Sequence, residues 1–531
     1  MSEAPKSAVP NVAKASAIMV ASLLLSRVLG IVREIIISWK FGQDAYTDAY
    51  RLAFVIPDIL FFLIAGGALS SAFIPVFSEY FHTDRKKDAW KIFGSVATIM
   101  STIVFVFVAF AWIFAVPLAR WVCGDKPAEQ IELVAQMSRI MVPAQFAFLV
   151  GGLMIGTLYA RQVFTVPGLS PNIYNLGIIT GALVISSLVA IPITGLAWGA
   201  LFGALLGSLV FPIVMMRKLG SEFRPSFDVK HEGVRKVFRL MGPVIFGLSL
   251  PGVFPTMMRM FGARFGPNYV SAMENANQLM QAPLGVFGQS LALAAFPALS
   301  QFFAQGDMGL FRDQLTRSLK TVLYLSIPVS ILFMVSPLPI VQLLFQHGKF
   351  TAEDSHRTAQ ALGVFAIGIC AWCMQPLLMR AFFSVQKAVM PVILGTITSA
   401  IFISLCYAAL SSGQSYLALP AANSISAFLL VGMLLVAVQR SIGVLEVRGI
   451  LATMGKAVGA SLAAGVLLWV GGQFIAGKQL GFPVLLLVVS FGMLAYGWAY
   501  YFLTRWLKMP ESELISRAIR KVSRKSPTSA T

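Results

Sequence analysis

The chain reads as a succession of apolar runs of bilayer length, separated by short polar segments. Residues 92–119 carry no charged side chain, and neither do residues 479–504. Two further charge-free stretches, 162–216 and 388–439, are each long enough for two crossings joined by a turn. About 20 apolar residues cross the hydrocarbon layer as a helix. On that measure the pattern predicts spans near 15–38, 48–72, 92–115, 136–160, 167–190, 195–216, 236–259, 269–298, 318–338, 359–383, 389–410, 417–438, 450–473 and 481–504. The first run continues through Arg27 and Arg33 without a small-residue cleavage site, so it reads as a span and not as a signal peptide. The fold class expected is an all-α polytopic membrane protein of about 14 transmembrane helices.

Composition agrees: of 531 residues, 57% are hydrophobic and 12% charged, against about 25% charged in a soluble domain. The formal net charge of +19 invites a nucleic-acid reading, but its distribution argues against one. With the N-terminus inside, the inner segments hold 29 Lys/Arg and the outer ones 8, namely Lys40, Arg120, Lys126, Arg259, Arg264, Lys349, Arg357 and Lys478. Arg27, Arg33, Arg51 and Arg139 fall within spans. This is the positive-inside asymmetry, and it predicts both termini in the cytoplasm. The basic excess is topology.

The chain also repeats itself at an offset of about 223. Gly66–Phe81 reads GGALSSAFIPVFSEYF and Gly288–Phe303 reads GQSLALAAFPALSQFF, with six of sixteen positions identical. Gln162 and Pro167 correspond to Gln386 and Pro391, and Arg217 to Arg440. Six spans separate equivalent points, so both copies share one orientation, a parallel repeat of the kind alternating-access transporters use. The organisation expected is an N-terminal six-helix lobe (1–217), a second six-helix lobe (218–440), two extra helices (441–505) and a basic tail (506–531). The amphipathic stretch Glu511–Val522 in that tail suits anionic headgroups.

Charges inside spans are costly, about 2.5–3.5 kcal/mol each near the bilayer centre on insertion scales, so they need partners or water. In the first span Arg27, Gly30 and Glu34 share a helical face and Arg33 lies beside Glu34. Two readings stand: an internal ion pair of Arg27 or Arg33 with Glu34, or a cationic wall suited to bidentate grip on phosphate. The second span begins at Asp48 and carries Arg51, Pro57 and Asp58, with Pro57 expected to kink it and Gly66 to add a weak point. Span eight presents Glu274, Asn275, Asn277, Gln278 and Gln281 before Pro283, a polar stripe fit either for core hydrogen bonding or for substrate contact.

Several chemistries drop out. Cys370 and Cys373 sit in an apolar helix without a second pair or a nearby histidine, and read as packing residues. There is no GxxxxGK[ST] loop to bind a nucleotide. No span pairs a nucleophile with a base, and His82, His231, His347 and His356 fall in or near loops, so an enzyme is not expected, nor is a metal or cofactor.

Ser26-Arg27-Val28-Leu29-Gly30 with Arg33-Glu34, then Thr47-Asp48-Ala49-Tyr50 and Ala72-Phe73-Ile74-Pro75-Val76-Phe77-Ser78-Glu79-Tyr80, closely resemble the signatures of the MurJ/MviN family. So do Gln346-His347-Gly348-Lys349-Phe350-Thr351 and Arg380-Ala381-Phe382 with Gln386 and Pro391. The resemblance runs from about residue 15 to 505. It implies the fold of the multidrug/oligosaccharidyl-lipid/polysaccharide exporter superfamily, a place in the bacterial inner membrane, and transport of lipid II from the inner to the outer leaflet. By position it implies that Arg27 and Arg33 are cavity arginines, that Glu34 and Asp48 are their neighbouring acids, and that helices thirteen and fourteen hold the polyprenyl tail. Its partners would be lipid II, membrane lipids and a coupling cation. This sequence departs from the family at Phe61-Phe62, where a pair of arginines is common, at Gly66-Gly67, where an acidic Glu-Gly follows, and at Gln278, where span eight usually carries an arginine. Arg51 and Glu274 are unusual additions. Rival readings are a flippase for another polyprenyl-linked oligosaccharide, a cation-coupled drug antiporter on the same fold, and a non-transporting envelope scaffold.

Overall fold

The computed structural model describes residues 9–64, 68–83, 85–473 and 481–523, and every regular element among them is helical. Each expected span overlaps a helix or a set of helices, with ends displaced by up to ten residues. Span one is Val9–Phe41; span two is assembled from Ala45–Ala53, Val55–Ile64 and Ala68–His82; span three is Lys86–Ile113. Spans four to six are Ala128–Ala160, Thr165–Ser187 and Thr194–Lys218. Span seven is Glu232–Arg264 and span eight Tyr269–Ala304. Spans nine to twelve are Met308–Val335, Ala352–Ser384, Val389–Ser411 and Ala418–Ile442. Spans thirteen and fourteen are Val447–Gln473 and Phe482–Trp506, and the amphipathic tail helix is Ser512–Ser523. Eleven of these segments are long and apolar enough to cross a bilayer. The other three are spans one, two and seven, which carry the buried charges described below.

The repeat extends from sequence to backbone. Lys86–Ile113 and Met308–Val335 differ by 222 at both ends, as do the short helices Ala115–Cys123 and Pro337–Phe345. Left-handed residues recur in step: Gly42 with Gly266, Gly124 with Gly348, Gln162 with Gln386, and Gly220 with Gly443. Glutamine rarely adopts positive φ, yet Gln162 (φ 60°) and Gln386 (φ 59°) both do. Each closes its span by the same two bonds. Gln162 N–H donates to Tyr159 O (2.9 Å) and Val163 N–H to Leu158 O (2.8 Å). Gln386 N–H donates to Phe383 O (3.1 Å) and Lys387 N–H to Phe382 O (3.0 Å). This is the Schellman closure that satisfies orphan carbonyls at a helix C-terminus.

The chain forms two compact units, Met1–Glu274 with Gly348–Thr351, and Asn275–His347 with Ala352–Thr531. In the first, span one packs on span five, span five on six, and span seven on span two. Between spans five and six glycines face glycines: a Cβ on Gly177 would lie 2.5 Å from Gly203 Cα, and one on Gly199 would collide with Gly177 O. Close backbone approach of this kind replaces the hydrophobic effect as the packing force in lipid. In the second unit span nine packs on span ten, span ten on twelve, and span thirteen on span nine.

Prolines break spans where a neighbour can repair the damage. Pro57 has no N–H to give Ala53 O, and the helix turns at Phe54; the Ser138 hydroxyl donates to Ala53 O at 3.0 Å. Pro328 likewise orphans Tyr324 O, and Tyr500 Oη of span fourteen donates to it at 2.7 Å. Pro283 ends a helix that continues as a π-helical turn over Leu284–Gln289. Within the bilayer an unsatisfied carbonyl has no water to turn to, so such repairs are required. Replacing Tyr500 by Phe should therefore lower stability by about 1–3 kcal/mol, the cost of a buried carbonyl left unpaired. Thermal unfolding of the detergent-purified variant reads this out; an unchanged midpoint would refute the repair.

Candidate functional site

Span one carries its charges in the half that leads to Phe41. Glu34 is 1% exposed and holds two arginines. Arg33 donates to its Oε1 through Nε (2.9 Å) and Nη2 (2.6 Å), and Arg51 of span two donates to its Oε2. Arg33 also donates Nη1 to Asn175 Oδ1 at 3.0 Å, and Asn175 Nδ2 donates back to Ser26 O at 3.3 Å, so span five fixes the rotamer. The ion-pair reading of span one is thus the geometry observed, with Arg51 as a second cation. Arg27 lies six residues earlier, about 9 Å along the helix, and is exposed. Gly30 is buried.

A second cluster inverts the first. Arg259 of span seven donates Nη1 to Asp58 Oδ2 of span two (2.8 Å), and Nε and Nη2 to the two oxygens of Glu274 of span eight (3.2 and 3.0 Å). One carboxylate holds two guanidiniums in the first cluster; one guanidinium holds two carboxylates in the second. An aromatic pair joins them. The Arg51 guanidinium lies 5.7 Å from the Tyr50 ring centroid, Tyr50 meets Phe54 edge-on at 5.2 Å, and Arg259 lies 5.9 Å from the Phe54 centroid. Cation–π contacts strengthen in desolvated surroundings.

Asp48 has a different place. It is fully buried, and its oxygens accept from Asn268 N–H (2.7 Å), Ser271 N–H (2.9 Å) and Ser271 Oγ (2.6 Å). It caps the N-terminus of span eight from span two, where a carboxylate also suits the helix dipole. Asn277 and Gln278 are half-buried one turn beyond Glu274, on the same helical face. Pro57 and Pro283 sit at the two helix breaks described above, and Gly66 lies outside the described residues. Among the described residues no group of His, Cys, Asp or Glu is arranged to hold a metal ion, and all four cysteines are free thiols.

The structure brings together Arg33, Glu34 and Arg51, and separately Asp58 and Glu274. It adds two residues that sequence reasoning missed. Arg259 belongs inside span seven, not with the outer cations; Asn175 had no charge to draw notice. The signal for Arg259 was present: neither Asp58 nor Glu274 has a basic residue one turn away on its own span, so each buried acid required a cation from another.

The buried ion clusters on a helical repeat define a polytopic membrane transporter fold. Similarity extends this to a family. Residues 37–490 match the family described as lipid II flippase MurJ, and the chain belongs to that family. It is 29% identical over 380 residues to the lipid II flippase MurJ of Burkholderia cenocepacia, covering 70% of this chain and 72% of that one. It is 28% identical over 435 residues to a probable lipid II flippase MurJ of Vibrio cholerae, covering 79% and 82%. A solved lipid II flippase MurJ in an inward closed conformation superimposes with a TM-score of 0.77 over 92% of this chain and 99% of that one, at 22% identity. An inward-facing multidrug resistance MATE family transporter of the MOP superfamily gives 0.66 over 78% and 94%, at 14% identity. The chain therefore shares the fold of these two solved proteins.

Arg259→Gln should destabilise the protein by about 1–3 kcal/mol, because it leaves two half-buried acids without their cation. The triple variant Asp58→Asn, Arg259→Gln, Glu274→Gln should recover most of that loss. Thermal unfolding of the purified variants tests both; a triple variant no more stable than the single one would show that the charges do not act as a set.

Proposed function

We propose that this protein translocates lipid II, the undecaprenyl-pyrophosphate-linked disaccharide pentapeptide, from the inner to the outer leaflet of the bacterial inner membrane by alternating access. Family membership supports the reaction, and the carrying observation is the Glu34 cluster: two arginines share one carboxylate, so the set has a net positive charge. A pyrophosphate can take the oxygen positions that Glu34 now fills, because a guanidinium fork fits phosphate and carboxylate alike. Arg27 adds a further cation on the same span.

In this reading the lipid head enters a wet cavity lined by spans one, two, seven and eight, where Arg27, Arg33 and Arg51 meet its charge. Asn277 and Gln278 provide hydrogen bonds to its sugars, and the prenyl tail stays along spans thirteen and fourteen. Spans two and eight bend at Pro57 and Pro283 as the cavity changes side. Arg259 must then release Asp58 or Glu274, so those contacts act as a latch. Basic segments lie inside and both termini are cytoplasmic, as the asymmetry of Lys and Arg supports, 29 inside against 7 outside once Arg259 is counted within span seven. The lobes are 1–217 and 218–440, with helices 441–505 and tail 506–531 appended. A charge crossing the full field gains about 2.3 kcal/mol per 100 mV, enough for the membrane potential or a coupling cation to bias the cycle. No catalysis is involved.

Phe61 and Gln278, where the family commonly has arginines, favour a second reading, a flippase for another polyprenyl-linked oligosaccharide. Complementation of a strain depleted of its own lipid II flippase separates the two. Wild-type protein should restore growth, and Arg27→Ala with Arg33→Ala should not. Rescue by both would overturn the cavity assignment. Failure of the wild type, together with flipping of another polyprenyl glycolipid in proteoliposomes, would establish the second reading.

A further inference from the structure

The repeat allows each face of the first copy to be compared with its counterpart in the second. Span nine is covered by the two appended helices. Tyr324 accepts from Tyr500 Oη at its carbonyl (2.7 Å), Pro328 O accepts from Tyr496 Oη (2.8 Å), and Gly465 of span thirteen lies against Ile331 and Val335. At the end of this stripe Lys320 pairs with Glu446, just ahead of span thirteen, at 2.8 Å. Subtracting the offset of 222 maps Lys320, Tyr324, Pro328 and Val335 onto Thr98, Thr102, Val106 and Ile113 of span three. Among the described residues no helix lies over that stripe: Val106 is 60% and Ile113 62% exposed.

Where the stripe begins, the surface is hollowed into a groove of about 810 Å³ between spans three, four and six. Its walls include Ala97, Phe105, Val150, Met154 and Ile213, and its polar end is made by Thr98, Thr102, Arg217 and Ser221; no acid is among the described residues that line it. Lining residues run from Phe93 to Phe105 on span three, about 18 Å of helix, roughly the depth of one leaflet.

The polar end is a built feature. The segment after span six is pressed onto span three, where a Cβ on Gly94 would collide with Arg224 O. Ser226 N–H donates to Thr98 Oγ1 (3.2 Å), Phe223 meets Phe93 edge-on at 5.9 Å, and Lys91 pairs with Asp228 at 2.7 Å. With Asp228 so engaged, the exposed charges around the mouth are Arg217, Lys218 and Arg224 against Glu222, a positive excess. In the second copy the corresponding mouth has an acid, Glu446, brought by the chain that covers it.

We propose that this groove binds an anionic glycerophospholipid, with one acyl chain along the apolar walls and the phosphate on Arg217. The lipid takes the place on span three that spans thirteen and fourteen take on span nine, and its phosphate plays the part of Glu446. Ser221 offers its hydroxyl to the glycerol and ester oxygens, while Thr98 and Thr102 donate theirs to Gly94 O and Thr98 O.

The test is native mass spectrometry of the full-length protein released from nanodiscs of equal parts dioleoyl-phosphatidylglycerol and dioleoyl-phosphatidylcholine. Wild-type protein should retain phosphatidylglycerol in preference by about fivefold, the factor one Lys/Arg contributes near an anionic surface. Arg217→Gln should reduce that preference towards one, and Thr102→Trp, which fills the groove from an exposed position, should remove retention of either lipid there. Arg120→Gln, an exposed cation outside the groove and outside the basic tail, should leave the preference unchanged. Equal retention of the two lipids by wild type, or the same preference in all variants, would overturn the proposal. So would a stoichiometric protein partner that shields Thr102 from a membrane-soluble quencher.

Discussion

An ion placed in hydrocarbon must meet its opposite, and this requirement arranges spans one, two, seven and eight. Arg33, Arg51 and Arg259 are matched by Glu34, Asp58 and Glu274, yet the matching is uneven. Around Glu34 a positive charge is left over; around Arg259 a negative one. Each cluster is therefore incomplete without the other, and the Tyr50–Phe54 pair holds them at short range. Separating span two from span seven exposes the imbalance in both.

The same economy governs the breaks in the helices. Proline inside a membrane span bends it and orphans the carbonyl four residues earlier. Pro57 is paired with Ser138 and Pro328 with Tyr500. The bend in span two falls between Arg51 and Asp58, so it separates the attachment point of one cluster from that of the other. Arg51 and Asp58 are seven residues apart on one span, yet they serve different helices. Asp48 fixes the start of span eight to the start of span two.

Span positions were legible because hydrocarbon thickness sets their length, and a long charge-free apolar run has no stable place in a water-soluble fold. The repeat was legible because glycine, proline and glutamine recur where the backbone needs them, as the left-handed Gln162 and Gln386 demonstrate. The site was legible only in part. Arg27, Arg33 and Glu34 stand out in an apolar span, and a helical wheel places Arg33 beside Glu34. Which acid meets which base across spans depends on tertiary packing that one-dimensional spacing does not contain. Arg51 to Glu34 and Arg259 to Asp58 are such cases. Asp48 was misleading for a related reason: an acid at a helix start can serve a ligand or another helix, and its three backbone and hydroxyl donors become visible only in the fold.

The two halves differ most where the appended helices lie. Span nine is covered by tyrosines whose hydroxyls reach Tyr324 O and Pro328 O, two carbonyls on the bent part of that helix. Span three has no proline at the equivalent position; Val106 stands where Pro328 would be, its helix is regular there, and no carbonyl needs outside help. A regular, apolar stripe can face lipid, whereas a bent one with an open carbonyl cannot. A carbonyl that span fourteen satisfies in the second copy thus has no counterpart needing a donor in the first. A proline introduced at Val106 would orphan Thr102 O and create the same need for a covering hydroxyl where no helix is present among the described residues to supply one.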